Sequence, residues 1–347
     1  MSRKILPVRK PISGGILLSY KCSGECRHCM YACSYRWSNY WIDKDDLISV
    51  LRELAWAFRG EYSPDTKGLL GVNYGLHFTG GEPFLNFQLL LFAVEQSNKL
   101  GLRSKFVETN CFWCTDDKII EDRFLKLKEK GLDGVLISAN PFVVEHVPFE
   151  RIERGLTVSI KVFGAENVIV YHPIYYRQLS SMGVKETLKF EEYLRRINPE
   201  EFIWSFDPGI LLPMGRLPYK LGNLYHKHPA KFFFGQSCLS ELTRPWHVHV
   251  DCFCNYIPGY CAGISLGDAR RLREIVQGVD LEDKPILEAL STDLKKLFEF
   301  AKREYRYKEL KEGYVSKCHL CLDIRRHIAL VTNEFKELRP REFYEKL

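Results

Sequence analysis

The sequence has no apolar run near the ~18–20 residues that a membrane-spanning helix needs. Its longest is "LLLFAV" at 89–94. The first stretch, "MSRKILPVRKPISGG", lacks the apolar centre of a secretory signal. Together these absences point to a cytoplasmic protein with no membrane partner. There is no internal repeat, which argues against a solenoid, and no low-complexity segment. Charge of one sign is also scarce: 50 Lys and Arg against 44 Asp and Glu leave +6. That excess fits an ordinary solvated surface and argues against a nucleic-acid partner, which calls for a larger basic excess with aromatic stacking. What is present is ample core material. Of 347 residues, 46% are apolar and 27% charged, enough for two domains or one large domain with an extension.

Cysteine is the residue in excess. Twelve occur, in groups at 22/26/29/33, 111/114, 238/252/254/261 and 318/321. In a reducing compartment, grouped cysteines are metal ligands or redox groups before they are disulfides. The first group, "YKCSGECRHCMYAC", spaces Cys22, Cys26, Cys29 and Cys33 as C-x3-C-x2-C-x3-C. Structural zinc usually pairs two knuckles that lie apart in sequence, whereas these four cysteines share one short loop. An iron–sulfur cube suits such a loop better, although the bacterial ferredoxin spacing is C-x2-C-x2-C.

The hydrophobic periodicity alternates strands and helices. Strands are expected at 14–20, 75–83 (running into a glycine turn), 104–110, 133–140, 166–171 and 209–213. Helices are expected at 42–60 with Asp43 as cap, 87–101, 116–131 and 149–164. The last of these is compatible with a strand, but Phe149, Ile152, Leu156, Ile160 and Phe163 follow the helical period. Six β units with intervening helices imply an α/β fold, a parallel sheet curled as a partial (β/α)6 barrel, with chemistry at the carboxyl ends of the strands. Beyond about 220 the alternation fails, and short strands and turns surround the cysteines. Helices are expected again at 266–278, at 284–307 and after Cys321. We therefore divide the chain into a core, 1–220, and a small α+β extension, 221–347.

The motif C-x3-C-x2-C directly after a first strand, followed one helix later by "GGEP" (Gly80, Gly81, Glu82, Pro83) at the end of the second, resembles the radical S-adenosylmethionine (SAM) superfamily. The resemblance implies that Cys22, Cys26 and Cys29 hold a [4Fe–4S] cluster with one iron left for SAM, that the glycine turn contacts SAM, and that Cys33 is not a ligand. His28 holds a position that is often aromatic in that family. It further implies that Asn110 in "ETN" and Ser138 border SAM, and that Met214 and Gly215 in "PMGR" line its adenine with their backbone. The second cysteine set is similar to a SPASM or twitch extension of the single-cluster kind. On that likeness Cys238, Cys261, Cys318 and Cys321 hold one auxiliary [4Fe–4S] cluster. Cys252 or Cys254 is an alternative to Cys261, and zinc on the same thiolates is an alternative to the cluster.

The expected activity is reductive cleavage of SAM to a 5′-deoxyadenosyl radical, hydrogen abstraction from a peptide or small metabolite, and an external ferredoxin- or flavodoxin-type electron donor. Cofactor or lipid biosynthesis is the other enzymatic reading, and a zinc-stabilised binding protein the non-enzymatic one. Only about 13 residues precede the first strand, so no leader-binding domain is expected before it. Cys111 and Cys114 form a C-x2-C that is either a redox pair, a local disulfide or two buried thiols. His247 and His249 fall on one face of a short strand near the auxiliary site, as a substrate contact or as an exposed face.

Overall fold

In the computed structural model, residues 4–61 and 70–347 are described. The strands are β1 (Ile5–Leu6), β2 (Ser13–Leu17), β3 (Gly75–Thr79), β4 (Lys105–Thr109), β5 (Gly134–Ser138), β6 (Val168–Tyr171), β7 (Val248–Val250), β8 (Tyr256–Ile257) and β9 (Val279–Asp280). Seven form one sheet in the order β6-β5-β4-β3-β2-β7-β8. Every neighbouring pair is parallel except β7 with β8. β1 and β9 pair separately, antiparallel.

The helices α1 (Lys44–Phe58), α2 (Phe87–Lys99), α3 (Asp117–Glu129), α4 (Pro141–Val144), α5 (Phe149–Phe163) and α6 (Pro173–Ser181) connect the first five parallel strands and follow the last of them. Asp43 caps α1 by accepting from the Asp45 N–H. The 149–164 stretch is helical, with Phe149, Ile152, Val162 and Phe163 buried on one face. Among the described residues no helix is long and apolar enough to cross a membrane.

Six parallel strands form the partial barrel, but the sixth is not the expected one. Residues 209–213 are turn, because their amides are satisfied locally: the Ile210 and Leu211 N–H groups donate to the Asp207 carbonyl. That leaves a ladder few donors to recruit there. The sixth parallel strand is instead β7, from the extension, added beside β2 at the opposite edge. A boundary near 220 therefore separates two stretches of sequence that share one sheet.

Three other differences have local causes. The expected helix 284–307 is two, Pro285–Thr292 and Leu294–Tyr305, broken where Asp293 turns extended and caps the second. The expected helix 266–278 shrinks to a 3-10 turn, Ala269–Arg271, and one helical turn, Leu272–Ile275. Helices α6, Phe190–Arg196 and Pro199–Ser205 went unread, being short and rich in polar residues.

Candidate active site: a cysteine-lined cavity at the strand ends

The first cysteine loop leaves the end of β2 and is closed at its base, where the Cys22 N–H donates to the Ser34 carbonyl at 3.1 Å and the Ser34 N–H to the Tyr20 carbonyl at 3.3 Å. Cys22, Cys26, Cys29 and Cys33 all border one cavity of about 230 Å³ at the carboxyl ends of the strands. Thr79, Gly80 and Gly81 reach it from β3, Glu108 and Asn110 from β4, Ser138 from β5 and Tyr171 from β6. The expected convergence of strand ends is thus present.

Two arginines fix the loop. Arg27 makes a forked pair with Glu145, Nη2 to Oε1 at 2.8 Å, and also reaches Glu191 at 2.8 Å. Arg216 is 0% exposed. It donates to the carbonyls of Cys26 (2.8 Å), Cys33 (3.2 Å) and Lys346 (3.2 Å). Its own N–H donates to the Cys29 carbonyl at 3.0 Å.

The glycine turn packs backbone against backbone. The Gly81 N–H donates to the Ser19 carbonyl at 2.8 Å and the Glu82 N–H to the Lys21 carbonyl at 3.0 Å. A Cβ on Gly81 would overlap the Lys21 carbonyl oxygen, next to Cys22, so only glycine fits. Gly81→Ala is expected to destabilise the protein by about 1–3 kcal/mol, read as a lower denaturant midpoint, with iron content falling in step. A variant of wild-type stability would show that this close approach is dispensable.

Some expected site residues lie elsewhere. Glu82 and Pro83 are buried behind the cavity wall. Glu82 accepts from the Thr109 hydroxyl (3.0 Å), the Asn110 N–H (2.8 Å) and the Phe84 N–H (3.2 Å). It therefore clips the β3 exit to the β4 exit rather than offering a free carboxylate. Burial raises its pKa to about 7. Met214 and Gly215 do not border this cavity, whereas Leu211 and Leu212 of the same segment do. Gly215, at φ 56°, turns against the carbonyls of Cys29 and Met30, which directs the segment toward the second cysteine set. Asn110 does face the cavity. Its Nδ2 donates to the Ser23 hydroxyl at 2.9 Å and approaches the Cys22 sulfur at 3.7 Å.

Burial raises the Cys22 thiol to about 12 and raises Cys26 as well. Cys29 differs. The neighbouring Cys33 thiol lowers it. Ligation by a cation removes such protons outright.

The second set gathers as expected. Cys238, Cys261, Cys318 and Cys321 surround a second cavity of about 60 Å³, bordered also by Met214, Gly215 and Arg325. Cys318 and Cys321 occupy the first two turns of the helix Lys317–Val331, capped by Ser316. The Arg325 Nε lies one turn on, 3.3 Å from the Cys321 sulfur. Cys252 and Cys254 do not border this cavity. They sit on the turn after β7, where the Cys254 N–H donates to the Asp251 carbonyl. Cys111 and Cys114 are buried and unbridged, facing Gly155 of α5.

Spacing bears on zinc against cluster. Four thiolates on one zinc ion stand about 3.8 Å apart, from Zn–S bonds near 2.3 Å. Among the described residues the only group of three or more Cys, His, Asp or Glu whose ligand atoms all lie within 4.8 Å is His77, His247 and His249. Neither cysteine set brings three sulfurs within that distance.

Sequence reasoning missed Glu108, Tyr31, Tyr171, Tyr260 and Arg216. The signal for Glu108 was strand alternation: Phe106 and Glu108 share the face of β4 that looks into the barrel. Burial raises the Glu108 carboxyl to about 7, and its Oε2 accepts from the Thr79 hydroxyl at 2.6 Å. His247 and His249 are neither exposed nor at the second cysteine set: they are buried in the barrel beside His77 of β3. Burial lowers the pKa of all three.

No protein-family model matches the sequence, and no curated protein does. Solved structures are similar at low identity. The crystal structure of BtrN in complex with AdoMet and 2-DOIA aligns over 82% of this chain and 88% of that one, at 15% identity and a TM-score of 0.42. Native anSMEcpe with bound AdoMet aligns over 75% and 78%, at 13% identity and 0.41. Streptococcus suis SuiB bound to S-adenosylmethionine aligns over 95% and 77%, at 13% identity and 0.31. In its cysteine motif and in the place of that motif on the sheet, the chain resembles the radical SAM superfamily. That resemblance rests on this chain's own residues.

Proposed function

We propose that the chain is a radical SAM enzyme of the oxidoreductase or maturase type, acting on a peptide or small metabolite. One observation carries the reading: Cys22, Cys26 and Cys29 open on the same strand-end cavity as Gly80, Gly81, Asn110 and Ser138. The residues fit a [4Fe–4S] cluster on those three thiolates, which when bound would supply the electron for reductive cleavage of SAM to a 5′-deoxyadenosyl radical. The chain itself positions and shields. Arg27 and Arg216 hold the loop rigid, as a reactive centre requires. Gly80 and Gly81 bring backbone to the cavity without side chains. Tyr31, Tyr171 and Tyr260 wall it with aromatic surface. Glu108, with its pKa near neutrality, is suited to hold or release a proton on the substrate side.

Cys238, Cys261, Cys318 and Cys321 fit an auxiliary cluster, and the segment from Leu211 to Arg216 runs from one cysteine set to the other. An external ferredoxin- or flavodoxin-type protein is the proposed electron source. Anaerobically purified protein is expected to be brown, to hold roughly eight irons and to release 5′-deoxyadenosine from SAM on reduction. Zinc in place of iron, with no cleavage, overturns the proposal.

Cys238→Ala is expected to lose about four of these irons while keeping SAM cleavage at the first set. Iron and sulfide analysis beside a 5′-deoxyadenosine assay reads both. Loss of all iron would mean that the two sets are not independent sites.

A further inference from the structure

The three buried histidines do not belong to either cysteine set, and their arrangement is specific. Gly15 on β2 is the register partner of His77 on β3 and of His249 on β7. The two imidazoles meet above the residue that has no side chain, and a Cβ on Gly15 would overlap the His77 Nε2. Their Nε2 atoms are 3.3 Å apart. Two nitrogens bound to one tetrahedral zinc at 2.0–2.1 Å stand about 3.3–3.4 Å apart, so this pair is already at ligand spacing. One ring nitrogen from His247 completes a set within 4.8 Å.

The outer hydrogen bonds fix the tautomers. His249 Nδ1 lies 3.2 Å from the Gly259 carbonyl, and His247 Nδ1 lies 2.8 Å from the Val72 carbonyl. A carbonyl only accepts, so both Nδ1 atoms carry the proton and both Nε2 atoms keep a lone pair. A carbonyl partner on the distal nitrogen is the usual setting of a metal-bound histidine. His247 also holds φ at 56°, with its N–H donating to the Ser13 hydroxyl at 3.0 Å. Left-handed backbone at a non-glycine residue is strained and gathers at functional sites. Glu108 stands beside the group, its Oε1 3.6 Å from the His77 Nε2.

We propose that His77, His247 and His249 bind a divalent first-row transition ion, Zn2+ in the first instance, with Glu108 or a substrate oxygen or nitrogen as the fourth ligand. Imidazole donors suit such ions. His247, His249 and Glu108 border the strand-end cavity, so the exchangeable position faces the space where a substrate sits. The ion anchors and polarises a substrate donor atom. This site stands whether or not the cysteine sets hold iron.

The test uses the cluster-loaded protein, treated anaerobically with EDTA, given Zn2+ and desalted. About one retained zinc is expected, and its X-ray absorption fine structure should show imidazole scattering with no sulfur in the first shell. His249→Gln and His77→Gln should each cut retained zinc at least tenfold while cluster iron is unchanged. The absorption measurement needs only the wild-type chain, so an unstable variant does not blunt the test. No retained zinc in the wild type, a sulfur first shell, or full zinc retention in both well-folded variants overturns the proposal. In that case the 3.3 Å contact is a hydrogen bond between core histidines.

Discussion

Cys29→Ala is expected to abolish both iron binding at the first set and SAM cleavage, whereas Cys33→Ala keeps both. All four thiols border one cavity, so proximity does not separate them. The motif does: under the proposed function C-x3-C-x2-C supplies Cys22, Cys26 and Cys29, and Cys33 lies outside it. Cys33 sits at the closed base of the loop, its carbonyl, like that of Cys26, held by Arg216 and the neighbouring Ser34 bridged to Lys21. Its thiol lies beside Cys29 and favours the thiolate form of that group, so with Cys29 as a ligand it is available as a donor to the ligand sulfur. A donor to a ligand sulfur tunes a cluster's potential without holding the cluster. Removing one hydrogen bond of about 1 kcal/mol corresponds to a downward shift on the order of 40 mV for one electron. Redox titration of Cys33→Ala should find that shift with iron content near wild type. Loss of the cluster in Cys33→Ala would mean four thiolates close the site, leaving no iron for SAM, and the proposed function would fail with it.

What could be read from the sequence divides by range. β2 to β6 were legible because each is a short apolar run punctuated by turn residues, and all but β6 lead on to a helix with a clear period. The cysteine sets were legible because their spacing is local. β7 was not assigned to the barrel, because its pairing with β2 joins residues more than two hundred positions apart, and no local pattern encodes a parallel partner. The same pairing hid the histidine cluster. His77, His247 and His249 are adjacent only because β3, β2 and β7 lie side by side with Gly15 between them. The partners of Glu82 were hidden for the same reason: the Asn110 N–H and the Thr109 hydroxyl reach it from the neighbouring β4 exit.

Arg216→Met is expected to destabilise the protein by about 3 kcal/mol or more, because three carbonyls lose a buried charged donor and each such bond is worth roughly 1.5–3 kcal/mol. The guanidinium satisfies three carbonyls that lie on the cysteine loop and near the chain's end. Methionine fills similar volume but donates nothing, so buried acceptors on Cys26 and Cys33 go unpaired. The charge matters separately. Arg216 favours the thiolate form of Cys26, Cys29 and Cys33, so it stabilises an anionic, ligand-bearing loop more than a loop of neutral thiols. The loss should therefore be larger in the iron-loaded protein than in the iron-free one. Arg216→Lys restores charge but not the planar fork that reaches separate carbonyls, so it should recover part of the iron affinity and little of the stability. Anaerobic urea unfolding of both variants, with and without iron, distinguishes these contributions. Equal losses in the two states would assign Arg216 to packing alone. A loss under about 1 kcal/mol in both, within the span of an ordinary surface substitution, would remove it from the account of how the loop is held.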